Sequence, residues 1–138
     1  MRVGYSGTPL IRKLGLKETT RLVVLNEPAE YTELLGTLPP GLQKQRSPSK
    51  TTDIVHVFVT KRQELARHLA ALRSKLNTDA AIWVSWPKKS SKVFSEVTED
   101  TIRELALPLG FVDIKVCAVS EVWSGLKLTV RKELRSNE

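Results

Sequence analysis

Few residues of this 138-residue chain combine the types and spacings that chemistry asks for. His56 sits between Val55 and Val57 in an apolar run, and His68 lies beside Arg67 and Leu69. Neither has a histidine, cysteine or carboxylate at ligand spacing. With Cys117 as the single cysteine, no metal site and no internal disulfide are expected. Cys117 falls inside an alternating stretch with no neighbouring histidine, so it reads as a packed thiol rather than a nucleophile. No G-x-S-x-G elbow, no phosphate-binding Walker loop and no recognisable pair of carboxylates is present. The sequence therefore assigns no catalytic residue, and its reading leans away from an enzyme. Binding chemistry is better represented. The segment Ser85-Trp86-Pro87-Lys88-Lys89-Ser90-Ser91 sets an aromatic face beside two ammonium groups and several hydroxyls, and Trp123-Ser124 offers a second such pair.

The elements that must position these residues follow from periodicity. Thr8-Pro9 followed by Leu10, Ile11 and Leu14, with Gly15 as a stop, predicts a short helix capped by Thr8 with Pro9 at its first position. Arg21 to Leu25 is a first strand without polar alternation, suited to burial on both faces. A short helix is expected around Tyr31, Leu34 and Leu35, between Pro28 and Gly36, and a weak, polar edge strand at Leu42 to Arg46. Ile54 to Val59 is β-branched and continuous, the pattern of a central strand. Thr60 and Gln63 then predict a capping box for an amphipathic helix whose stripe is Leu65, Leu69, Leu72 and Leu76. Ala80 to Trp86 is a third buried strand, Pro87 to Val97 a loop, and Thr98 opens a helix with Ile102, Leu105 and Ala106 inward. Two alternating strands close the chain: Val112, Ile114, Val116 and Ala118 share one face, as do Leu126, Leu128 and Val130, with a turn over Glu121 to Gly125.

Strands alternating with helices, then a short hairpin, imply an α/β fold: a Rossmann-like three-layer sandwich, mostly parallel, with a C-terminal antiparallel hairpin. The chain reads as one domain over residues 1–138, with 136–138 frayed. Open α/β sheets bind ligands beyond the carboxyl ends of their strands. The segment after Trp86 leaves such an end, and an antiparallel partner must start from the same rim. Trp86, Lys88, Lys89, Trp123 and Ser124 are thus expected to form the ligand site, with Asn26, Glu27 and Thr60 as further rim candidates.

Charge narrows the choice of partner. The chain carries 22 Lys and Arg against 15 Asp and Glu, a formal net charge of +7. The excess is front-loaded, with 8 basic and 4 acidic residues over positions 1–52, 9 and 7 over 53–110, and 5 and 4 over 111–138. An anionic small molecule or a partner protein suits such a surface, and nucleic acid would be held without sequence specificity. No apolar run approaches the roughly 18 residues of a membrane span, and the first residues lack the apolar stretch of a secretion signal, so a cytoplasmic protein without membrane contact is expected.

The stretch Asp53 to Phe58, the helix to Leu76, the strand to Trp86, the helix from Thr98 and the hairpin from Phe111 to Arg131 follow, in order, the C-terminal half of a class I S-adenosylmethionine-dependent methyltransferase, which the chain resembles in architecture. Gly4 to Leu10, Trp83 to Lys89 and Trp123 to Lys127 are also similar to a small bacterial family of unknown function, which adds no activity. The methyltransferase resemblance implies a glycine-rich turn after the first strand for close approach of the cofactor, and an acid after the second to accept from ribose hydroxyls. This chain has Asn26-Glu27-Pro28-Ala29-Glu30-Tyr31 and Gln45-Arg46-Ser47 at those places. The expectation is therefore a methyltransferase-like domain without a cofactor and without catalysis, binding at its carboxyl rim. A minimal S-adenosylmethionine-dependent methyltransferase is the alternative, and a non-specific nucleic-acid-binding accessory protein is the second.

Overall fold

The computed structural model describes residues 9–135, so the capping role expected of Thr8 lies outside the described residues. Pro9 is itself the cap of α1 (Leu10–Leu14), not its first helical residue, and Gly15 ends that helix at φ 78°. There follow β1 (Arg21–Leu25), α2 (Tyr31–Leu35), β2 (Gln43–Lys44), β3 (Ile54–Phe58), α3 (Arg62–Lys75), β4 (Ala81–Pro87), α4 (Glu99–Ala106), β5 (Phe111–Ala118) and β6 (Trp123–Val130). Single 3-10 turns occur at Lys89–Ser91, Leu107–Leu109 and Lys132–Leu134.

The six strands form one sheet in the order β2-β1-β3-β4-β6-β5. Neighbours from β2 to β4 pair in parallel, and β6 pairs antiparallel with both β4 and β5. Helices cover both faces, which makes the fold a Rossmann-like sandwich with the expected reversed hairpin. On one face Val23, Val55, Val57, Ile82, Val84, Leu126 and Leu128 pack under Leu65, Leu69 and Leu72 of α3 and Ile102 and Ala106 of α4. On the other, Leu22, Ile54, Phe58 and Trp83 meet Leu10 and Leu14 of α1 and Tyr31 and Leu35 of α2. Strict alternation along β3 and β4 assigns each side chain to one of these two cores.

Two further local expectations are overturned. Thr60 and Gln63 make no capping box: α3 starts at Arg62, after Lys61, with no side-chain cap from its own entry residues. The acceptor comes instead from a distant loop, where Glu96 takes the Arg62 N–H on its carboxylate at 2.9 Å while its own N–H donates to the Thr60 carbonyl. The capping box of α4 is present, between Thr98 and Thr101.

The second correction concerns β5. Val112, Ile114 and Val116 do not form a common buried face; Ile114 and Val116 are exposed. A bulge between Asp113 and Lys115 breaks the alternation, and β5 is an edge strand with little packed over it. Burial falls instead on Phe111 and, just beyond the strand, on Val119.

Gly110 shows how the chain enters this strand. Its φ of 98° is left-handed, which favours glycine, and an added Cβ would lie 2.7 Å from the end of the Leu134 side chain, which would have to swing aside.

Candidate functional site

All the expected site residues lie at the carboxyl rim, but the sheet divides them between its two sides. Trp86 pairs across the ladder with Ser124, whereas Trp123 pairs with Pro87, one residue further along. Residues paired directly share a face, so the two tryptophans must project to opposite faces. Trp86 joins the core under α3 and α4, and Trp123 packs against the core under α1 and α2. The five residues expected to converge therefore do not: Trp86, Lys89 and Ser124 stand apart from Trp123. The Lys88 N–H donates to the Val122 carbonyl at 2.7 Å, tying the loop after β4 to the hairpin turn between the two sides.

The α1/α2 side of the rim is plugged. The Tyr31 ring meets Phe58 edge-on with centroids 5.5 Å apart, Phe58 stacks on His56 at 4.3 Å, and Trp123 meets Phe58 edge-on at 4.9 Å. Such edge and offset arrangements each add about 0.5–1.5 kcal/mol beyond area burial. Beneath the plug runs a buried chain of hydrogen bonds: the Tyr31 hydroxyl to His56 Nδ1 at 2.9 Å, and His56 Nε2 to the Ser85 hydroxyl at 2.7 Å. Serine beside histidine is the arrangement of a nucleophile and its base, but none of these groups is reachable, with both Ser85 and His56 at 0% exposure. Burial pushes the His56 pKa down to about 3 and the Tyr31 phenol well up, so the network is neutral and structural. The sequence gives no local signal that Tyr31 and Ser85 partner His56, since they lie 25 and 29 residues from it.

The strand ends beside the plug carry the remaining candidates. Asn26 turns the chain out of β1 at φ 57°, and its amide donates to the Phe58 carbonyl at 3.0 Å and to Glu64 at 3.2 Å. Glu27, next in the turn, forms an ion pair with Lys44 at the end of β2. Thr60, half-buried after β3, contributes its carbonyl to Glu96.

These residues do not fit S-adenosylmethionine in the way the resemblance implies. The turn from Asn26 to Tyr31 has no glycine to admit backbone close to a cofactor. After β2, where the resemblance implies a carboxylate to accept from ribose hydroxyls, stand Gln45, Arg46 and Ser47, none of them an acid, and the Gln45 amide is engaged by Thr51 and Thr52.

The α3/α4 side of the same rim is open. Trp86, Pro87, Lys89, Val93, Ser95, Val97, Thr98 and Glu99 line a cleft of about 280 Å³. Its floor is apolar, and hydroxyls of Ser95 and Thr98 stand in its wall. Much of that polarity is used internally: Ser95 bonds the Val97 backbone in both directions at 3.0 Å, and Glu99 pairs with Arg103. Lys89, exposed at the mouth, has no ion-pair partner among the described residues. Val93 and Phe94 project outward beside it, Phe94 at 80% exposure. The loop reaches this position through Lys92, held at φ 63°, which for a non-glycine is a conformation the surroundings must maintain.

Cys117, on the hairpin away from the cleft, is half-buried; burial raises its pKa, against the pull of Lys13 and Lys115. No group of three potential metal ligands occurs among the described residues, and no described helix is long and apolar enough to cross a membrane.

No protein-family model matches the chain, and no curated protein sequence matches it. Solved structures do. An S-adenosylmethionine-dependent methyltransferase from Aquifex aeolicus is similar at a TM-score of 0.61 and 14% identity, over 88% of each chain. TrmN from Thermus thermophilus matches at 0.52 and 12%, over 88% of this chain and 47% of that one. The Methanococcus jannaschii fibrillarin pre-rRNA processing protein matches at 0.52 and 11%, over 92% and 70%. At these identities the likeness is one of fold: the chain has the Rossmann-like architecture of S-adenosylmethionine-dependent methyltransferases.

Proposed function

We propose that this chain is a binding module on a methyltransferase-like fold, one that has given up S-adenosylmethionine and takes an anionic small molecule with an apolar body into the cleft beside Trp86. The observation that carries this reading is the placement of opening and plug. The rim above β1 and β3 is filled by Tyr31, Phe58 and Trp123, whereas the rim above β4 on the other face is open. An apolar floor with one unpaired ammonium at its mouth suits a ligand whose planar part rests near Trp86 and whose anionic group meets Lys89. Lys88, in the same loop, adds to the positive field there.

Isothermal calorimetry tests the first half of the reading. S-adenosylmethionine is expected to show no binding tighter than about 1 mM, and a dissociation constant near 1 μM, about −8 kcal/mol, overturns it. That second outcome would favour a minimal methyltransferase, the reading the Aquifex aeolicus likeness supports through its matching length. A thermal-shift screen of nucleotides and aromatic carboxylates tests the second half. A hit should weaken more than tenfold in the Lys88→Ala, Lys89→Ala double variant, since charge-assisted hydrogen bonds contribute roughly 1.5–3 kcal/mol each.

A further inference from the structure

The α1 side of the hairpin carries a cationic surface that the cleft does not use. Lys115 of β5 and Lys127 of β6 stand directly opposite each other in the ladder. Like charges in that position destabilise an antiparallel pair, and among the described residues neither lysine forms an ion pair. Every described ion pair is made by Arg21, Lys44, Arg62 or Arg103, none by Lys17, Lys115 or Lys127. The Lys115 ammonium lies 6.0 Å above the Trp83 ring, which fixes the face on which the two lysines sit. Lys127 is half-buried; burial lowers its pKa, and Lys115 and Lys17 lower it further.

The positive surface continues to either side. From α1, the Lys13 ammonium reaches across to the Ala118 carbonyl at 3.2 Å. Two residues beyond Lys127 on the same face, Arg135 donates to the Thr129 hydroxyl at 3.3 Å. Cations from α1, the loop after it, both strands of the hairpin and the segment after β6 thus form one stripe, longer than a single phosphate could engage. Among the described residues of the stripe no aromatic face is offered for stacking, because Trp83 beneath it is fully buried.

We propose that this stripe binds the phosphodiester backbone of nucleic acid without reading its sequence. Successive phosphates would relieve the repulsion between Lys115 and Lys127, with release of counterions as the driving force. This surface is separate from the cleft, so the two assignments stand or fall independently.

The test is fluorescence anisotropy of the full chain with a labelled single-stranded oligonucleotide of arbitrary sequence. Binding is expected at about 50 mM salt and should fall steeply towards 200 mM. The Lys17→Ala, Lys115→Ala, Lys127→Ala variant should bind more than tenfold more weakly, with the slope of log affinity against log salt reduced by about 2. A charge-matched variant on the opposite side, Lys61→Ala, Arg67→Ala, Lys75→Ala, should lose much less. Circular dichroism melting checks the fold of both. If the first variant does not fold, Lys115→Glu, a change at one exposed side chain, should weaken binding on its own. The proposal is overturned if the wild type does not bind at low salt, if the two triple variants lose affinity equally, if Lys115→Glu binds as the wild type does, or if inorganic polyphosphate binds and the oligonucleotide does not.

Discussion

The two sides of one sheet rim, built from the ends of the same strands, have taken opposite solutions. Under α1 and α2 the space is closed by Tyr31, Phe58 and Trp123 over a hydrogen-bonded histidine. Under α3 and α4 the 3-10 turn at Lys89–Ser91 and the loop to Val97 stand away from Trp86 and leave a cleft. A strand end is only a location. Whether it becomes a site depends on whether the next side chains fill the space or frame it.

The sharpest way to break this contrast is to remove the plug. Phe58→Ala should destabilise the protein by about 3–5 kcal/mol in urea unfolding, because a nearly unexposed ring is lost between three aromatic neighbours. A loss below about 1 kcal/mol would mean that the rings shield space rather than hold structure.

Acid acts on the same side next most strongly. The folded pKa of His56 is lowered to about 3 from an ordinary 6.5, so the unfolded chain binds this proton first as the pH drops. Stability is fully present above about 6.5 and is lost as the pH falls towards 3, with a slope approaching about 1.4 kcal/mol per pH unit. Asp53 contributes in the same direction at lower pH: burial raises its pKa, but hydrogen bonds from Arg21 outweigh that and hold it below the ordinary value. Denaturant titrations across this range should show the slope, and His56→Gln should flatten its upper part.

Ser85→Ala probes the far end of the network. It leaves His56 Nε2 buried without a partner and should cost about 1–3 kcal/mol by chemical denaturation. The smallest effect belongs to the open side: Lys89→Ala, at an exposed position, should move stability by no more than about 0.5 kcal/mol. That substitution is informative only when ligand affinity is read beside stability.

The sequence made the strands legible because β3 and β4 are continuous apolar runs, and α3 because its leucines recur at helical spacing. The rim was legible too, since topology fixes which strand ends share it. The side on which each rim residue falls was not. That depends on the register between β4 and β6, where pairing Trp86 with Ser124 rather than Trp123 decides the matter, and a shift of one residue would have exchanged the two. Glu96, which completes the start of α3, was equally hidden, because its 34-residue reach to Arg62 is a product of the fold.

The bulge in β5 bears on how this protein meets other copies of itself. A sheet ends in unpaired peptide groups, and a long flat border there invites another strand to add on. One border here, β2, is two residues long. The other is eight residues long and displays Ile114 and Val116, but it is interrupted between Asp113 and Lys115, with a charge on each side of the break. An incoming strand would lose its hydrogen-bonding rhythm halfway along its length. The irregularity that spoils the alternation of β5 thereby guards the sheet against growth into a fibre.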